Sequence, residues 1–411
     1  MRFIYIFAVL TSAAQAAPLK QFIATALAQN PEILAAQKRY EAALQRPSQE
    51  RSLPDPRLSF GYASSGGPLP GQGLGAQPTS NIGLTISQEI PYPGKLKLRG
   101  EIAAKEASAE FQQYLAVQLS VRSRVIQAYH MLHHSYAMVE ILSDGKEQLT
   151  RAIRVSEVRY SAGKAAQQDI LKAQTQLSIL ETRIIQMLQE RRSAEAELNA
   201  LLNRPPGSAV GMPEDSGPQP LALTLEELLA RAAQTAPDLG RDQKMIERGE
   251  LAVNLARKEF HPDYTVSAGY YNMGAMPSMY EAHVEIPLRI HAAGRQKPAL
   301  NEQVQLLSEA RHNFEAAQQT LQFHVRDSYA AAETAFRLMK LYGDTILPQS
   351  SLTIESSLAS YETGATDFLS VLTNIMSRID VEQQSHEQEL NYALAVAKLE
   401  ELTGVALETK P

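Results

Sequence analysis

Three histidines, His130, His133 and His134, lie close together in a stretch of helix-forming residues. Positions three and four apart share one face of an α-helix, so the three imidazoles would point to the same side. Imidazole nitrogen binds zinc and copper, and this spacing makes the three residues a candidate metal site. The polar face of an ordinary helix explains the same residues without a metal, and both interpretations stay open.

Methionine repeats in the stretch MGAMPSM, where Met273, Met276 and Met279 lie three residues apart. Thioether sulfur is a soft ligand, and soft ligands select ions such as Cu(I). A loop that covers apolar neighbours would use methionine in the same way. The stretch is therefore a second candidate metal site, again with a structural alternative.

Motifs for catalysis are absent from the sequence. There is no G-x-S-x-G and no H-E-x-x-H, and Gly94-Lys95 lacks the upstream glycine and the following Ser or Thr of a phosphate loop. Cysteine is absent too, so no disulfide, thiolate metal site or cysteine-linked lipid is expected. A net charge of -6 gives no basic footprint for nucleic acid. We expect no enzyme activity and no cofactor; an enzyme with an unrecognised site is the alternative.

The first residues, MRFIYIFAVLTSAAQAAPLK, join a short basic start to an apolar run from Phe3 to Leu10 and the small-residue pattern Ala14-Gln15-Ala16. This order is typical of a secretory signal, so residues 1–16 are predicted to be a signal peptide that is removed after export. No later stretch approaches the roughly 18 to 20 apolar residues that a membrane helix needs. Any part of the exported chain that enters a membrane is therefore expected to do so as strands.

Two halves of the chain repeat the same landmarks in the same order. A segment rich in proline and glycine, residues 203–223, separates residues 17–202 from residues 224–411 and is interpreted as a linker. The repeated landmarks are the tripeptide EIP at 89–91 and 285–287 and the pattern Y-x-x-G at 160–163 and 361–364. Their common order predicts an internal two-fold repeat, in which each half is one structural repeat.

Each half is predicted to hold two strands and long helices. Apolar and other residues alternate in 58–63, 82–87, 264–270 and 280–286, which predicts four strands with one apolar face each. The chain from Lys95 to about Ser161 contains no proline, and a 3-4 apolar spacing from Ile170 to Leu201 predicts a coiled coil. The second half has the same layout from Pro298 to Leu402.

Strands with an apolar face can lie in lipid only if no edge is open, because lipid offers no hydrogen-bond partner. A barrel needs at least about eight strands, so one chain with four strands cannot close it. The protein must therefore oligomerise if the strands are transmembrane. The alternative is an ordinary soluble sheet packed on helices. Glu281, His283 and Glu285 on the polar face, as a wet lumen permits, weigh against it.

Taken together, these features resemble the TolC family of outer-membrane efflux proteins, the outer-membrane factors of tripartite pumps. The resemblance covers nearly the whole mature chain and is carried by the repeat, by the corner EIPYPGK, and by YSAGKAAQQDILKAQTQL and YETGATDFLSVL, which begin at Tyr160 and Tyr361. It implies a homotrimer whose chains each contribute four strands to a shared twelve-stranded barrel, with long coiled-coil helices forming a periplasmic α-barrel. The expected fold class is therefore mainly α with a transmembrane β-barrel portion and an internal two-fold repeat.

The resemblance also implies roles for residues at two turns between long helices. These turns would form the periplasmic tips and contact an adaptor protein. Asp169 and Asp367, which follow the turns, would face the constricted opening as gate candidates, although Ser370 holds the position in the second half that corresponds to Asp169. Capping or solvation of helix starts is the alternative for both aspartates. The tip residues are Tyr160, Gly163, Tyr361 and Gly364.

A corner between strand and helix occurs once in each half and, in this architecture, would join the barrel to the tunnel. Proline has no N–H to donate and glycine tolerates a bend, so both end a strand and turn the chain. The corner residues are Pro91, Pro93 and Gly94 in the first half and Pro287 and Gly294 in the second.

The function implied by the resemblance is a passive exit duct in the outer membrane. Substrates would reach it from an inner-membrane efflux pump through a periplasmic adaptor protein. The alternatives are a type I secretion conduit for polypeptides and a periplasmic coiled-coil scaffold without channel activity. The sequence is also similar to the heavy-metal branch of the family, which suits the histidine and methionine clusters; metal ions, drugs and polypeptides all stay open as substrates.

Overall fold

A computed structural model describes residues 18–214 and 217–407, and the expected signal peptide lies outside the described residues. The helices are α1 (Leu19–Gln29), α2 (Pro31–Ala43), α3 (Arg46–Arg51), α4 (Lys95–Ser161), α5 (Gln167–Leu201), α6 (Leu225–Thr235), α7 (Pro237–Lys258), α8 (Gln296–Leu341), α9 (Leu347–Thr363) and α10 (Phe368–Thr403). The strands are β1 (Arg57–Ala63), β2 (Asn81–Ile90), β3 (Tyr264–Asn272) and β4 (Met279–Glu285). A π-helical turn, Tyr342–Ile346, joins α8 to α9.

Side-chain caps set the starts of two short helices. The Asn30 carboxamide oxygen accepts a hydrogen bond of 2.8 Å from the Glu32 backbone N–H, directly before Pro31 begins α2. Thr224 forms a reciprocal capping box with Glu227 at the start of α6. Such caps satisfy backbone donors that the first helical turn leaves unpaired. The Asn30-Pro31 pair therefore begins α2 with a cap that its own sequence supplies.

The four strands form one antiparallel sheet in the order β1-β2-β3-β4. The register aligns Phe60 with Leu84, Leu84 with Tyr270, and Tyr270 with Tyr280, so these side chains share a face. The large apolar side chains exposed on that face are Leu58, Phe60, Tyr62, Ile82, Leu84, Ile86, Val266, Tyr270, Tyr280 and Val284. The opposite face carries Thr85, Ser267, Glu281 and His283. The four predicted strands and their alternation are confirmed.

The chain divides into two compact units, and each unit draws on both sequence halves. The sheet unit comprises Ala36–Tyr114 and Pro237–Ala317 and contains all four strands. The helical unit comprises the described parts of Met1–Ala35, Leu115–Ala236 and Gln318–Pro411. This spatial grouping cuts across the halves of the sequence, because strands from both halves pair in one sheet and helices from both halves pack in one core.

The largest core of the helical unit lies between α4, α5, α9 and α10. Leu142 and Leu149 of α4, Leu180 of α5 and Val371 of α10 are completely buried in it. The 3-4 spaced stripe of α5 supplies this face of the core, with Ala173 also fully buried. Full burial of one large aliphatic side chain contributes about 1.5 to 3 kcal/mol, so the stripe holds α5 against its neighbours.

The long helices of the two halves differ in continuity. In the first half α4 runs unbroken for 67 residues and passes through Asp144-Gly145. In the second half the π-helical turn interrupts the run before Pro348, at the start of α9. Proline has no N–H to donate to the preceding turn, and a π-type turn absorbs the mismatch without ending the helix. No helix within the described ranges is both long enough and apolar enough to cross a membrane.

Candidate functional site

The first tip turn closes the end of α4 with a left-handed glycine. Gly163 has φ of +73° and donates its N–H to the Tyr160 carbonyl at 2.8 Å. Lys164 donates to the Arg159 carbonyl, also at 2.8 Å. These two bonds form a Schellman motif, which satisfies the last carbonyls of a helix and favours glycine at the left-handed position. Gly163 is therefore the left-handed cap of α4.

The second tip turn repeats the same backbone geometry at the end of α9. Gly364 has φ of +81° and donates to the Tyr361 carbonyl at 3.0 Å, while Ala365 donates to the Ser360 carbonyl at 2.8 Å. The surroundings of the two glycines differ. A Cβ added at Gly364 would lie 3.5 Å from an Arg159 guanidinium nitrogen, whereas one added at Gly163 would meet nothing within 4 Å.

The two tip tyrosines have opposite environments. Tyr160 is 45% exposed, but Tyr361 is only 4% exposed and belongs to the helical core. The Arg159 guanidinium lies 4.4 Å from the centre of the Tyr361 ring and donates to the backbone carbonyls of Tyr361 and Glu362. On its other side the ring packs at 5.5 Å from that of Phe368. Of the two tyrosines, only Tyr160 offers a surface for contact.

Arg159 is a tip residue that the sequence analysis missed. It precedes Tyr160 in the first half, and its partner Tyr361 lies in the second half, so no local pattern links them. The sequence signal for this contact is a difference between the two repeats: Arg159 precedes Tyr160, whereas Ser360 precedes Tyr361. An arginine present in only one copy of a repeated turn indicates a contact that crosses between the copies.

The two gate candidates occupy different helix positions. Asp367 is the N-cap of α10, and its carboxylate accepts hydrogen bonds from the Ser370 hydroxyl and from the Ser370 backbone N–H, the latter at 2.9 Å. These hydrogen bonds hold the pKa of Asp367 below its usual value. Asp169 lies inside the first turn of α5, whose N-cap is Ala166 without a side-chain bond. Helix capping therefore accounts for Asp367, while the Asp169 carboxylate has no such bond within the described residues.

A buried lysine, Lys95, organises the first corner. Lys95 is completely buried and pairs with Glu259 at 2.8 Å and Asp263 at 2.9 Å, and it also donates to the His261 carbonyl at 3.0 Å. A buried ammonium is costly unless it is paired in this way. The sequence signal for this lysine site is the pair of acidic residues, Glu259 and Asp263, in EFHPD just before β3.

The same corner is closed by a second set of contacts around Tyr92. Its ring stacks on His261 with centroids 4.4 Å apart, and its backbone N–H donates to Asp263 at 2.6 Å. Burial acts to raise the pKa of Asp263, but the bonds from Tyr92 and Lys95 outweigh it, and the pKa lies below its usual value. Pro91, Pro93 and Gly94 thus connect β2 to α4 across a fixed turn, with Gly94 at φ of +89°.

The second corner has a different form. β4 ends at Glu285 and α8 begins at Gln296, so a longer segment that contains Pro287 and Gly294 makes the connection. Gly294 is outside the left-handed region, unlike Gly94. The segment leaves three large aliphatic side chains exposed, Ile286, Leu288 and Ile290. The repeated EIP tripeptide marks both corners, but the two backbones differ beyond it.

The structure does not assemble the candidate histidines into a metal site. In the described part of the chain, no group of three or more His, Cys, Asp or Glu side chains is arranged to hold a metal ion. His134 is partly buried, its Nδ1 has no hydrogen-bond partner, and burial lowers its pKa. His130 packs edge-on against Tyr129. Met273 and Met276 lie in the β3–β4 connection and Met279 begins β4, where a soft-metal site stays a prediction.

Comparison with known proteins places these features in a family. A family model described as outer membrane efflux protein matches residues 22–204 and, again, residues 228–405. The chain is 21% identical over 425 residues to the outer membrane protein TolC of Vibrio cholerae, covering 97% of this chain and 93% of that protein. It is 23% identical over 298 residues to the cobalt-zinc-cadmium resistance protein CzcC of Cupriavidus metallidurans, covering 70% and 69%.

The fold has solved counterparts. The structure of the Campylobacter jejuni CmeC outer membrane channel superposes with a TM-score of 0.80 at 16% identity, covering 95% of this chain and 86% of that one. The helices and the four-stranded sheet are therefore those of a known fold. Since the family model covers most of the chain in two successive matches, the chain belongs to the outer membrane efflux protein family.

Proposed function

We propose that three copies of this chain form a passive channel in the outer membrane that serves as the exit duct of a tripartite efflux system. The observation that carries the proposal is the sheet, whose one face is apolar and exposed across all four strands. Phe60 and Tyr280 are each 79% exposed there. Large apolar side chains in such a continuous patch indicate a surface that another phase or molecule covers.

The edges of the sheet support assembly from several copies. β1 and β4 are the outer strands, and each pairs on one side only within the described residues. An edge in lipid must be closed, because its backbone groups have no other partner there. Four strands from each of three copies would make a shared twelve-stranded barrel, with Glu281 and His283 facing a wet lumen.

In this proposal the long helices continue the channel below the membrane. The corners at Pro91–Gly94 and Pro287–Gly294 would mark the change from barrel strands to tunnel helices, and the tip turns would meet a periplasmic adaptor. The second match of the family model to residues 228–405 supports an internal duplication. The leader pattern in residues 1–16 supports export by a cleavable signal peptide.

We propose both the energy source for transport and the first substrate class to test. No motif of this chain binds nucleotide, so we propose that an inner-membrane pump drives transport and that the channel itself performs no catalysis. The resistance to cobalt, zinc and cadmium named for CzcC makes metal ions the first substrate class to test. A deletion strain challenged with metals, dyes and antibiotics should become sensitive to one class; a defect in polypeptide secretion alone would favour the secretion conduit.

We propose a single ring of carboxylates at the gate instead of a double ring. Asp367 is engaged as a helix cap, so we propose Asp169 as the carboxylate that three copies bring around one axis, where it would attract cations. Asp169→Asn should change cation selectivity or conductance of the reconstituted trimer. Unchanged single-channel currents in Asp169→Asn, with or without Asp367→Asn, would remove the gate assignment and leave the channel proposal standing.

Charge substitutions on the two faces of the sheet test the membrane assignment. Leu84→Arg and Val266→Arg place a charge on the apolar face and should each cost roughly 2 to 4 kcal/mol near the bilayer midplane. We expect loss of heat-resistant trimers from outer-membrane extracts. His283→Arg, on the opposite face, is the matched control and should assemble. Normal assembly of both apolar-face variants would count decisively against a barrel.

A further inference from the structure

A cavity of about 580 Å³ lies within the sheet unit, close to the second corner. Helices α3, α4, α7 and α8 and the segment between β4 and α8 contribute its walls. Its charged lining consists of five arginines and three glutamates, so it is positive on balance, although the whole chain has a net charge of -6. The arginines are Arg46, Arg99, Arg248, Arg289 and Arg295.

Most of the guanidinium groups in this cavity have no close acceptor among the residues that the structure describes. The Arg289 guanidinium lies 3.8 Å from the Asp263 carboxylate. Arg99 is 3.7 Å from Glu259. Both separations exceed the roughly 2.7 to 2.9 Å of a charge-assisted hydrogen bond. Of the five arginines, Arg248 alone is closely paired within the described ranges, with Glu106 at 3.0 Å.

The two remaining arginines are available to a ligand. Arg46 and Arg295 are exposed and make no ion pair with any residue of the described ranges. They line the same cavity as Arg289. Guanidinium groups converging on one space bind phosphate through paired N–H donors more specifically than lysines do. The unfilled donor capacity therefore indicates a phosphate-bearing ligand.

We propose that this cavity binds the phosphate of an anionic glycerophospholipid in the periplasmic leaflet of the outer membrane. The proposal rests on the proposed function, which puts the corners at the periplasmic end of the barrel. Basic groups at a membrane surface are attracted to anionic headgroups. Binding at this position would seat each protomer at a defined depth in the leaflet.

One feature favours a lipid over free phosphate. The segment that carries Arg289 also exposes Ile286, Leu288 and Ile290, at 54%, 79% and 77%, and acyl chains cover such side chains where a free ion leaves them bare.

Native mass spectrometry of the full mature channel in detergent tests the proposal. The probes are phosphatidylglycerol, diacylglycerol with the same chains, and inorganic phosphate as a competitor. The test variant is Arg46→Gln/Arg295→Gln. The control, Arg257→Gln/Lys297→Gln, removes the same charge from exposed positions that do not line the cavity. We expect at least fivefold weaker phosphatidylglycerol binding in the test variant, less than a twofold change in the control, and weak binding of diacylglycerol.

Equal phosphatidylglycerol binding by the test and control variants would overturn the proposal, as would displacement of the lipid by an equal concentration of inorganic phosphate. Loss of trimers in the test variant alone would assign the cavity to contact between copies and would also overturn it. Single-channel recording of the same preparations separates the two proposals. A wild-type protein that binds the lipid but never conducts fails the channel proposal; normal conductance with reduced lipid binding in the test variant supports the lipid site.

Discussion

The two tip turns share a sequence pattern and a backbone but differ in what their tyrosines do. Both end a long helix with Y-x-x-G, and both close with a left-handed glycine in a Schellman motif. Tyr361 is buried beneath Arg159, whereas Tyr160 is 45% exposed. The position before the tyrosine differs as well: it is Arg159 in the first half and Ser360 in the second.

This difference shows that Arg159 in the first turn stabilises the second turn. Arg159 binds the carbonyls that end α9 and covers the ring of Tyr361. Tyr160 is left on the surface instead. The turn at Tyr361 is therefore structural, and under the proposed function the turn at Tyr160 is a contact turn; the following variants test that division.

Tyr361→Ala should have the largest effect on stability. Removing a buried aromatic side chain typically costs about 3 to 5 kcal/mol, and this ring also contacts Arg159 and Phe368. Tyr160→Ala is the matched control and should change stability by less than about 0.5 kcal/mol. Thermal unfolding of the detergent-solubilised protein, followed by circular dichroism, measures both. Equal shifts in Tm would contradict the division.

Arg159→Met should destabilise the helical unit by about 2 kcal/mol, since it removes a cation–π contact and the donors to two carbonyls. Methionine keeps the apolar stem, so the loss isolates the guanidinium. The measurement is again the unfolding transition, and a double-mutant cycle with Tyr361→Ala should show strong coupling. Additive effects would mean that Arg159 does not act through Tyr361.

Gly364→Val and Gly163→Val should each cost about 1 to 2 kcal/mol, because a β-branched residue is strained in the left-handed region. The cost should be larger at Gly364, where the new side chain approaches Arg159. Co-purification of the adaptor and drug or metal sensitivity report docking. We expect both variants to impair adaptor coupling, with Gly163→Val doing so at the smaller loss of stability. A Gly163→Val protein that retains full coupling would argue against the contact turn.

Asp367→Ala should have the smallest effect on stability, through loss of the N-cap of α10. The folded-state pKa of Asp367 is lowered by its hydrogen bonds to Ser370. The stabilisation is therefore fully present above the unfolded-state value near pH 4 and is lost as pH falls through the lower folded value. Asp169→Ala, which removes no N-cap hydrogen bond, is the comparison at neutral pH. Unfolding curves of the wild type and of Asp367→Ala between pH 2 and pH 7, roughly the range over which carboxylates titrate, measure the pH-dependent loss.

Much of the local structure could be predicted from the sequence because its causes are local. Strand alternation placed Leu84 and Val266 on one face, as the register bears out. The Asn30-Pro31 start and the left-handed glycines follow from backbone sterics and capping within a few residues. The 3-4 spacing of apolar residues in α5 follows from helical periodicity, and Leu180, one of these residues, is buried.

The sequence by itself determined which residues form strands, where the short helices start and where the two tip turns lie, since each depends on neighbours within one or two turns. Tertiary structure decided which of the two tyrosines is buried and how Lys95 is paired with Glu259 and Asp263. These contacts join residues more than 150 positions apart. Their energies depend on burial and on charge pairs that exist only after the strands and helices of both halves have packed together.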